Sequence, residues 1–280
     1  MQLDKRNLIT ILLFAGIAGV TTSQSVHALT QLDIMGDIGT NAVAKRNLEI
    51  LADGDECLLG MGDYIYNENV PTGIQQLYDN IECKVGVPGN HEEEKGESPA
   101  WARNNFHYLS FSAWRIRDVV LINLNAYEDF QKGSVQYKWF VEKWDQYKDR
   151  PGVNWIIVAA HPDFFTPTVE GGHGPDKELR DTFLPLIKDN PKVILVGAHN
   201  HITAWGKVQG NNVLICGGGG KGGDSLGGEG KNSGFEFATA EIFGHCDVQF
   251  SPERATVLLI DDQGEKKGSF NFTKAAPQAR

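Results

Sequence analysis

Positive charge is in short supply: 26 lysines and arginines face 36 aspartates and glutamates over 280 residues, a formal net charge of −10. So acidic a chain has no general electrostatic grip on a nucleic acid polymer or an anionic membrane, and any attraction for an anionic ligand must be local. Long apolar runs are equally scarce. The notable one, Leu8 to Val20, is short for a membrane span; it follows Lys5 and Arg6 and precedes a polar stretch ending Val26-His27-Ala28. That order predicts a secretory signal peptide over residues 1–28, cleaved after Ala28, with an uncleaved N-terminal anchor as the alternative. The chain is therefore expected to be exported, to the periplasm, the cell surface or the medium, with no stable membrane insertion once the signal is gone. No cysteine follows the cut, so a lipid anchor is not indicated.

Cysteine is limited to Cys57, Cys83, Cys216 and Cys246, whose spacing is not that of a zinc site. In an exported chain disulfides persist, and three pairings are open. Cys57 and Cys83 both open strand-like runs, so buried free thiols are an equal alternative. Internal repeats and domain linkers are missing, which leaves one domain over residues 29–280. The glycine-rich segment Gly217 to Gly234 lacks the Gly-Lys-Ser/Thr ending of a phosphate-binding P-loop and is expected as a mobile loop at the rim of a site.

What is present is a series of apolar runs, each ending in a residue able to bind a metal. Leu32 to Met35 ends in Gly36-Asp37-Ile38-Gly39, and Cys57 to Met61 ends in Gly62-Asp63-Tyr64-Ile65-Tyr66. Lys84 to Val87 leads to Gly89-Asn90-His91-Glu92, Trp155 to Ala160 to His161, and Val193 to Val196 to His199-Asn200-His201. Further strands are expected over Phe106–Trp114 and Val119–Asn125. Between the runs lie helical patterns: Asn41 to Ala52 capped by Thr40, Ile74 to Ile81, a segment capped by Ser134 with Val135, Trp139, Phe140, Trp144 and Tyr147 at helical spacing, and Asp176 to Lys188, bent near Pro185. Ligands gathered beyond the carboxyl ends of strands are what an open α/β sheet provides for a site. A carboxylate and a phenol three residues apart, Asp63 and Tyr66, can both reach one hard ion, and the two oxygens of Asp63 can serve a second. His107 and His245, in strand-like stretches outside these blocks, read as structural.

Gly-Asp-x-Gly, Gly-Asp-x-x-Tyr, Gly-Asn-His-Glu, Val-x-x-His and a final His-x-His occur in this order across residues 32–201. In this the chain resembles the purple acid phosphatases, within the calcineurin-like metallophosphoesterases. The resemblance implies an α/β fold, a four-layer α-β-β-α sandwich. It implies that Asp37, Tyr66 and His201 bind one ion and Asn90, His161 and His199 another, with Asp63 bridging. Counting charges supports that split. Asp37, Asp63 and Tyr66 are three anionic ligands suited to ferric iron, whereas neutral Asn90, His161 and His199 suit divalent iron, zinc or manganese. The resulting small positive charge is the local attraction for phosphate that an acidic chain requires.

The resemblance further implies a small phosphoester substrate, a phosphomonoester attacked by hydroxide held between the ions. His91 would stabilise charge on the reacting group, with Glu92 orienting it, and His173, in Gly172-His173-Gly174-Pro175, would protonate the leaving alcohol. The alternatives are a phosphodiesterase or nucleotide hydrolase with the same cluster, or an exported metal-binding protein without catalysis. Two positions depart from the family pattern: Ala198 replaces the usual glycine, and Asn200 stands where aspartate is frequent.

Overall fold

A computed structural model describes residues 30–66, 70–94, 99–107, 110–168, 173–227 and 234–274. The expected signal peptide, residues 1–28, lies outside them. The described chain forms two sheets. The first has the order β13 (Lys266–Thr273), β12 (Arg254–Asp261), β11 (Gly244–Phe250), β1 (Thr30–Met35), β2 (Cys57–Gly60), β3 (Lys84–Gly86). The second runs β10 (Phe235–Thr239), β8 (Thr203–Val208), β9 (Asn211–Cys216), β7 (Val193–Gly197), β6 (Trp155–Ala159), β5 (Val119–Asn123), β4 (Ser112–Ile116). Within them β1, β2 and β3 are mutually parallel, as are β5, β6, β7 and β9.

The parallel strands are apolar on both faces because both faces are covered. Leu32, Ile34, Leu59, Leu121, Ile157 and Val196 point into the space between the sheets, where Trp155, Trp205 and Phe250 fill the middle. The alternate residues face helices. Met35 and Leu58 meet α1 (Ala42–Asp53), α2 (Thr72–Asn80) and α4 (Pro99–Phe106). Val120, Ile122, Ile156 and Val158 meet α5 (Val135–Tyr147) and α6 (Lys177–Ile187), through Phe140, Trp144, Leu179 and Phe183. The result is the expected four layers, helices, sheet, sheet, helices. A short α3 (Asn90–Glu93) follows β3.

Local differences from the sequence reading have physical causes. The expected strand Phe106–Trp114 begins only at Ser112, because Pro99 opens a helix whose Ala102 and Phe106, four apart, share one buried face. His107 accordingly sits in the turn after that helix, exposed. Asn41, not Thr40, caps α1: its Oδ1 accepts the Ala44 N–H at 2.9 Å. Helix α6 continues through Pro185.

All four cysteines are paired. Cys57–Cys83 ties the starts of β2 and β3 together, with Cα atoms 4.6 Å apart. Cys216–Cys246 joins β9 to β11 across the inter-sheet core, fastening one sheet to the other.

The outer face of the first sheet carries one electrostatic penalty, because Asp33 and Asp247 stand directly opposite on β1 and β11. Burial first, then Asp247 and Glu56, push the Asp33 carboxyl up to about 8. Because this folded value lies above the unfolded one, the associated stability is complete in acid and is lost as pH rises through about 8. Asp33→Asn is therefore expected to raise the melting temperature by a few degrees near pH 8.5 and to leave it unchanged near pH 3.5, as scanning calorimetry would show.

Candidate metal centre

Each parallel strand of the first sheet stops two to four residues before a candidate ligand, and β6 and β7 of the second stop two residues before one, so the candidate ligands meet at one end of the sandwich. The strand ends are stitched to one another. Met61 N–H donates to Met35 O at 2.9 Å, Asp37 N–H to Gly62 O at 3.1 Å, Ile38 N–H to Asp63 O at 3.0 Å and Ala198 N–H to His161 O at 2.9 Å. Asp37, Asp63, His199 and His201 all have positive φ, between 49° and 62°, and they are half of the eight non-glycine residues so placed among those described. Such backbone costs on the order of 1 kcal/mol or more per residue, and aspartate and histidine tolerate it better than most.

Two donor sets result. The Tyr66 hydroxyl donates to Asp37 Oδ1 at 3.1 Å and lies 3.3 Å from His201 Nε2, which is 3.6 Å from Asp37 Oδ1. Donors bound at about 2.1 Å to one ion, roughly at right angles, stand about 3 Å apart, so this triangle has the spacing of a coordination shell. In the second set, ligand atoms of Asp63, His161 and His199 lie within 4.8 Å of one another, with His199 Nδ1 3.2 Å from His161 Nε2. The sets adjoin, since His161 Nε2 is 3.5 Å from Asp63 Oδ1 and 3.9 Å from Asp37 Oδ1. Asn90 stands beside them at the start of α3.

Several observations fit the sets to cations. Asp37 is fully buried, yet its Oδ2 has no hydrogen-bond partner among the described residues, and neither does the buried Asn90 Oδ1. Burial pushes the Asp37 carboxyl up, and Asp63 adds to this. Asp63 resists its own burial and is held below the usual range by His161 and by the His91 N–H, which donates to it at 3.0 Å. Despite burial, Asp63 and Asp37 drive His161 up to about 10, so its imidazolium takes the place a metal cation would fill. His199 is pushed down by burial to about 2 and His201 to about 4, the neutral state a metal requires. Second partners also orient the rings: His161 Nδ1 lies 2.6 Å from the Met61 carbonyl, leaving Nε2 to the site.

The walls are built closely around these carboxylates. A Cβ on Gly89 would come within 2.1 Å of Asp63 Oδ1, and one on Gly217 within 2.6 Å of Asp37 Oδ2. The glycine-rich segment is thus not a rim loop over its first part. Gly217 to Gly220 are buried beneath the site, with Gly219 N–H donating to Gly36 O and Lys221 N–H to Asp37 O. Residues 228–233 of that segment lie outside the described residues.

Glu92 also departs from its expected role. It is buried, and it accepts the N–H groups of Asp63, Tyr64 and Gly89 at 2.8, 3.0 and 2.8 Å, holding the Asp63 loop against α3. His91 itself packs edge-on to the Tyr66 ring at 4.2 Å, with Nε2 3.9 Å from Asp63 Oδ2. His173 comes from the loop before α6, with its ring 4.3 Å from that of His199 and its side chain 44% exposed.

Four residues here were not found from sequence. Asp224 accepts from His173, whose Nδ1 is 2.9 Å and backbone N 3.2 Å from Oδ2, while its Oδ1 is 4.0 Å from His201 Nδ1. Lys221 places its ammonium 4.5 Å from the Tyr66 ring centroid. Asp163, buried beneath, accepts from the Asn200 amide, so the asparagine supplies a donor where a second carboxylate would repel. Tyr127 follows β5, a parallel strand that, like β9, ends in no residue read as a ligand. That was the available signal.

Because His161, driven up to about 10, holds a proton at neutral pH in the metal-free arrangement, metal uptake must displace it. Titrating the metal-free chain with zinc in weakly buffered solution should therefore release protons, and the apparent affinity should rise with pH between about 5 and 8.

Residues 31–203 match the family model for calcineurin-like phosphoesterases. Probable purple acid phosphatase 20 of Arabidopsis thaliana is 23% identical over 194 residues, which cover 60% of this chain and 44% of that protein. Among solved structures, a purple acid phosphatase from yellow lupin (Lupinus luteus) seeds has a TM-score of 0.70 at 18% identity, covering 90% of this chain and 57% of its own. GAP50, the anchor in the inner membrane complex of Plasmodium, has a TM-score of 0.62 at 16% identity, covering 88% of this chain and 89% of its own. The chain thus spans less than half the length of the curated relative.

Proposed function

This chain belongs to the calcineurin-like phosphoesterase family, and on that footing we propose that it is an exported, binuclear-metal acid phosphatase acting on small phosphomonoesters. The observation that carries the proposal is the pair of adjoining donor sets at the strand ends, with unpartnered Asp37 Oδ2 and Asn90 Oδ1 facing no protein donor among the described residues. In this reading Asp37, Tyr66 and His201 hold ferric iron, Asn90, His161 and His199 hold a divalent iron, zinc or manganese ion, and Asp63 is shared. When bound, such a pair of ions polarises a phosphoryl group and acidifies water.

The chain's own residues supply the rest. His91, partly exposed beside Asp63 and Tyr66, offers a ring N–H to a phosphoryl oxygen and is held in place by its packing against Tyr66. His173 turns Nδ1 towards the Asp224 carboxylate, which leaves Nε2 to deliver a proton to the departing alkoxide. Asp224 thereby links that proton donor to the ligand His201. Export is supported by two disulfides, which persist in oxidising compartments and are rare in the cytosol.

Metal analysis of the purified chain is expected to find iron near one equivalent beside a second metal, with a broad visible tyrosinate-to-iron band that disappears in Tyr66→Phe. A colourless protein holding two zinc ions would remove Tyr66 from the ferric role, and a metal-replete chain without monoesterase turnover would overturn the assignment. His91→Ala should keep both ions while losing roughly 100-fold or more in kcat.

The proton-donor role predicts a dependence on the leaving group. His173→Ala should slow an alkyl phosphomonoester about 100-fold, but a nitrophenyl ester, whose leaving group needs no proton, by less than about 10-fold. Equal losses on both would exclude it.

A further inference from the structure

Tyr127 is a phenol near the donor sets that the reaction described above does not use. It follows Asn125, at the carboxyl end of β5, and the turn that carries it is firmly clamped. Asn125 Oδ1 accepts the Tyr127 N–H at 2.9 Å. The Asn125 backbone exchanges two hydrogen bonds with the Gln136 side chain, N–H to Oε1 at 2.8 Å and Nε2 to the carbonyl at 2.9 Å. Both Asn125 and Gln136 are fully buried. That clamp brings the Tyr127 ring to 6.4 Å from the His161 ring, centroid to centroid.

The Tyr127 hydroxyl is buried and has no hydrogen-bond partner among the described residues. A buried hydroxyl left unpaired is costly, so a clamped one is expected to meet an acceptor at some stage of the protein's work. A phenol keeps its proton at neutral pH, so the hydroxyl is available as an O–H donor. An acceptor oxygen brought to the donor sets from outside the protein would supply that partner.

We propose that Tyr127 is a substrate-binding residue, its O–H donating a hydrogen bond to a phosphoryl oxygen held on the Asp63, His161 and His199 side of the centre. The inference rests on the phosphoesterase reading and adds a residue to it.

The test compares the metal-replete wild-type chain with Tyr127→Phe, using inorganic phosphate as the probe in calorimetric titration and thermal melting, with kcat and KM for a phosphomonoester measured alongside. Removing one oxygen should leave metal content unchanged and leave the melting temperature without phosphate equal or higher, because the hydroxyl has no partner there. Phosphate should bind the variant about 10-fold or more weakly, raise its melting temperature less, and the loss should appear chiefly in KM. A variant that melts well below wild type without phosphate would overturn the inference by showing that the hydroxyl already has a protein partner. Loss of metal would overturn it by placing Tyr127 in the metal shell. Phosphate bound equally by both chains would overturn the role of Tyr127 alone, whereas a wild-type chain that binds no phosphate would overturn the phosphoesterase reading and this inference with it.

Discussion

Two carboxylates buried side by side, Asp37 and Asp63, set the terms for the rest of the molecule. Carboxylates removed from water are costly unless paired, and here the like charges also raise each other's cost. Among the described residues the positive charge set against them is that of His161, raised far above its ordinary value by its neighbours, with the Lys221 ammonium farther out at the Tyr66 ring. Such an arrangement is poor as a structural core and apt as a cation site: the polar cost of the metal-free state is what a bound ion would relieve.

Holding that arrangement requires a rigid frame. The loops leave adjacent parallel strands, so their spacing is inherited from the sheets, and backbone bonds between the loops fix their relative height. Four candidate ligands adopt left-handed backbone, and glycines at positions 89 and 217 leave room for carboxylate oxygens where any Cβ would collide. The Cys216–Cys246 bridge works in the same direction. It ties the sheet that delivers Asp37, Asp63 and Asn90 to the sheet that delivers His161, His199 and His201, and Gly217, next to it in sequence, forms the wall against Asp37.

Around this frame, neighbouring residues adapt to one another. Asn200 donates to the buried Asp163, an interaction that an aspartate at position 200 would turn into repulsion. Asp224 faces two histidines of different duty, one beside Asp37 and Tyr66 and one exposed at the mouth. A single carboxylate therefore couples the placement of the proposed proton donor His173 to that of the candidate ligand His201.

The sequence alone determined most of the strands and helices up to Val196, the apolar runs that build the core and the seven candidate ligands. Those features are local: an apolar run, a glycine, and a donor one to four residues beyond are contiguous in the chain, and strand ends cluster wherever parallel strands pair. It did not determine what depends on residues far apart meeting. The pairing of Cys57 with Cys83 and of Cys216 with Cys246 was one of three possibilities until the strands were placed. Glu92 looked like a partner of its neighbour His91, but helix α3 turns it inward onto the Asp63 loop. Asp224 lies 51 residues from His173, in a glycine-rich stretch that reads as a rim loop, and only the packing of Gly217 to Gly220 beneath the site brings it there. Tyr127 is an ordinary aromatic in the sequence; the buried clamp between Asn125 and Gln136 is what turns its hydroxyl into an unpaired donor beside the centre. Local pattern determines which residue types are offered at a strand end, and tertiary packing alone decides which of them face one another across a desolvated cavity.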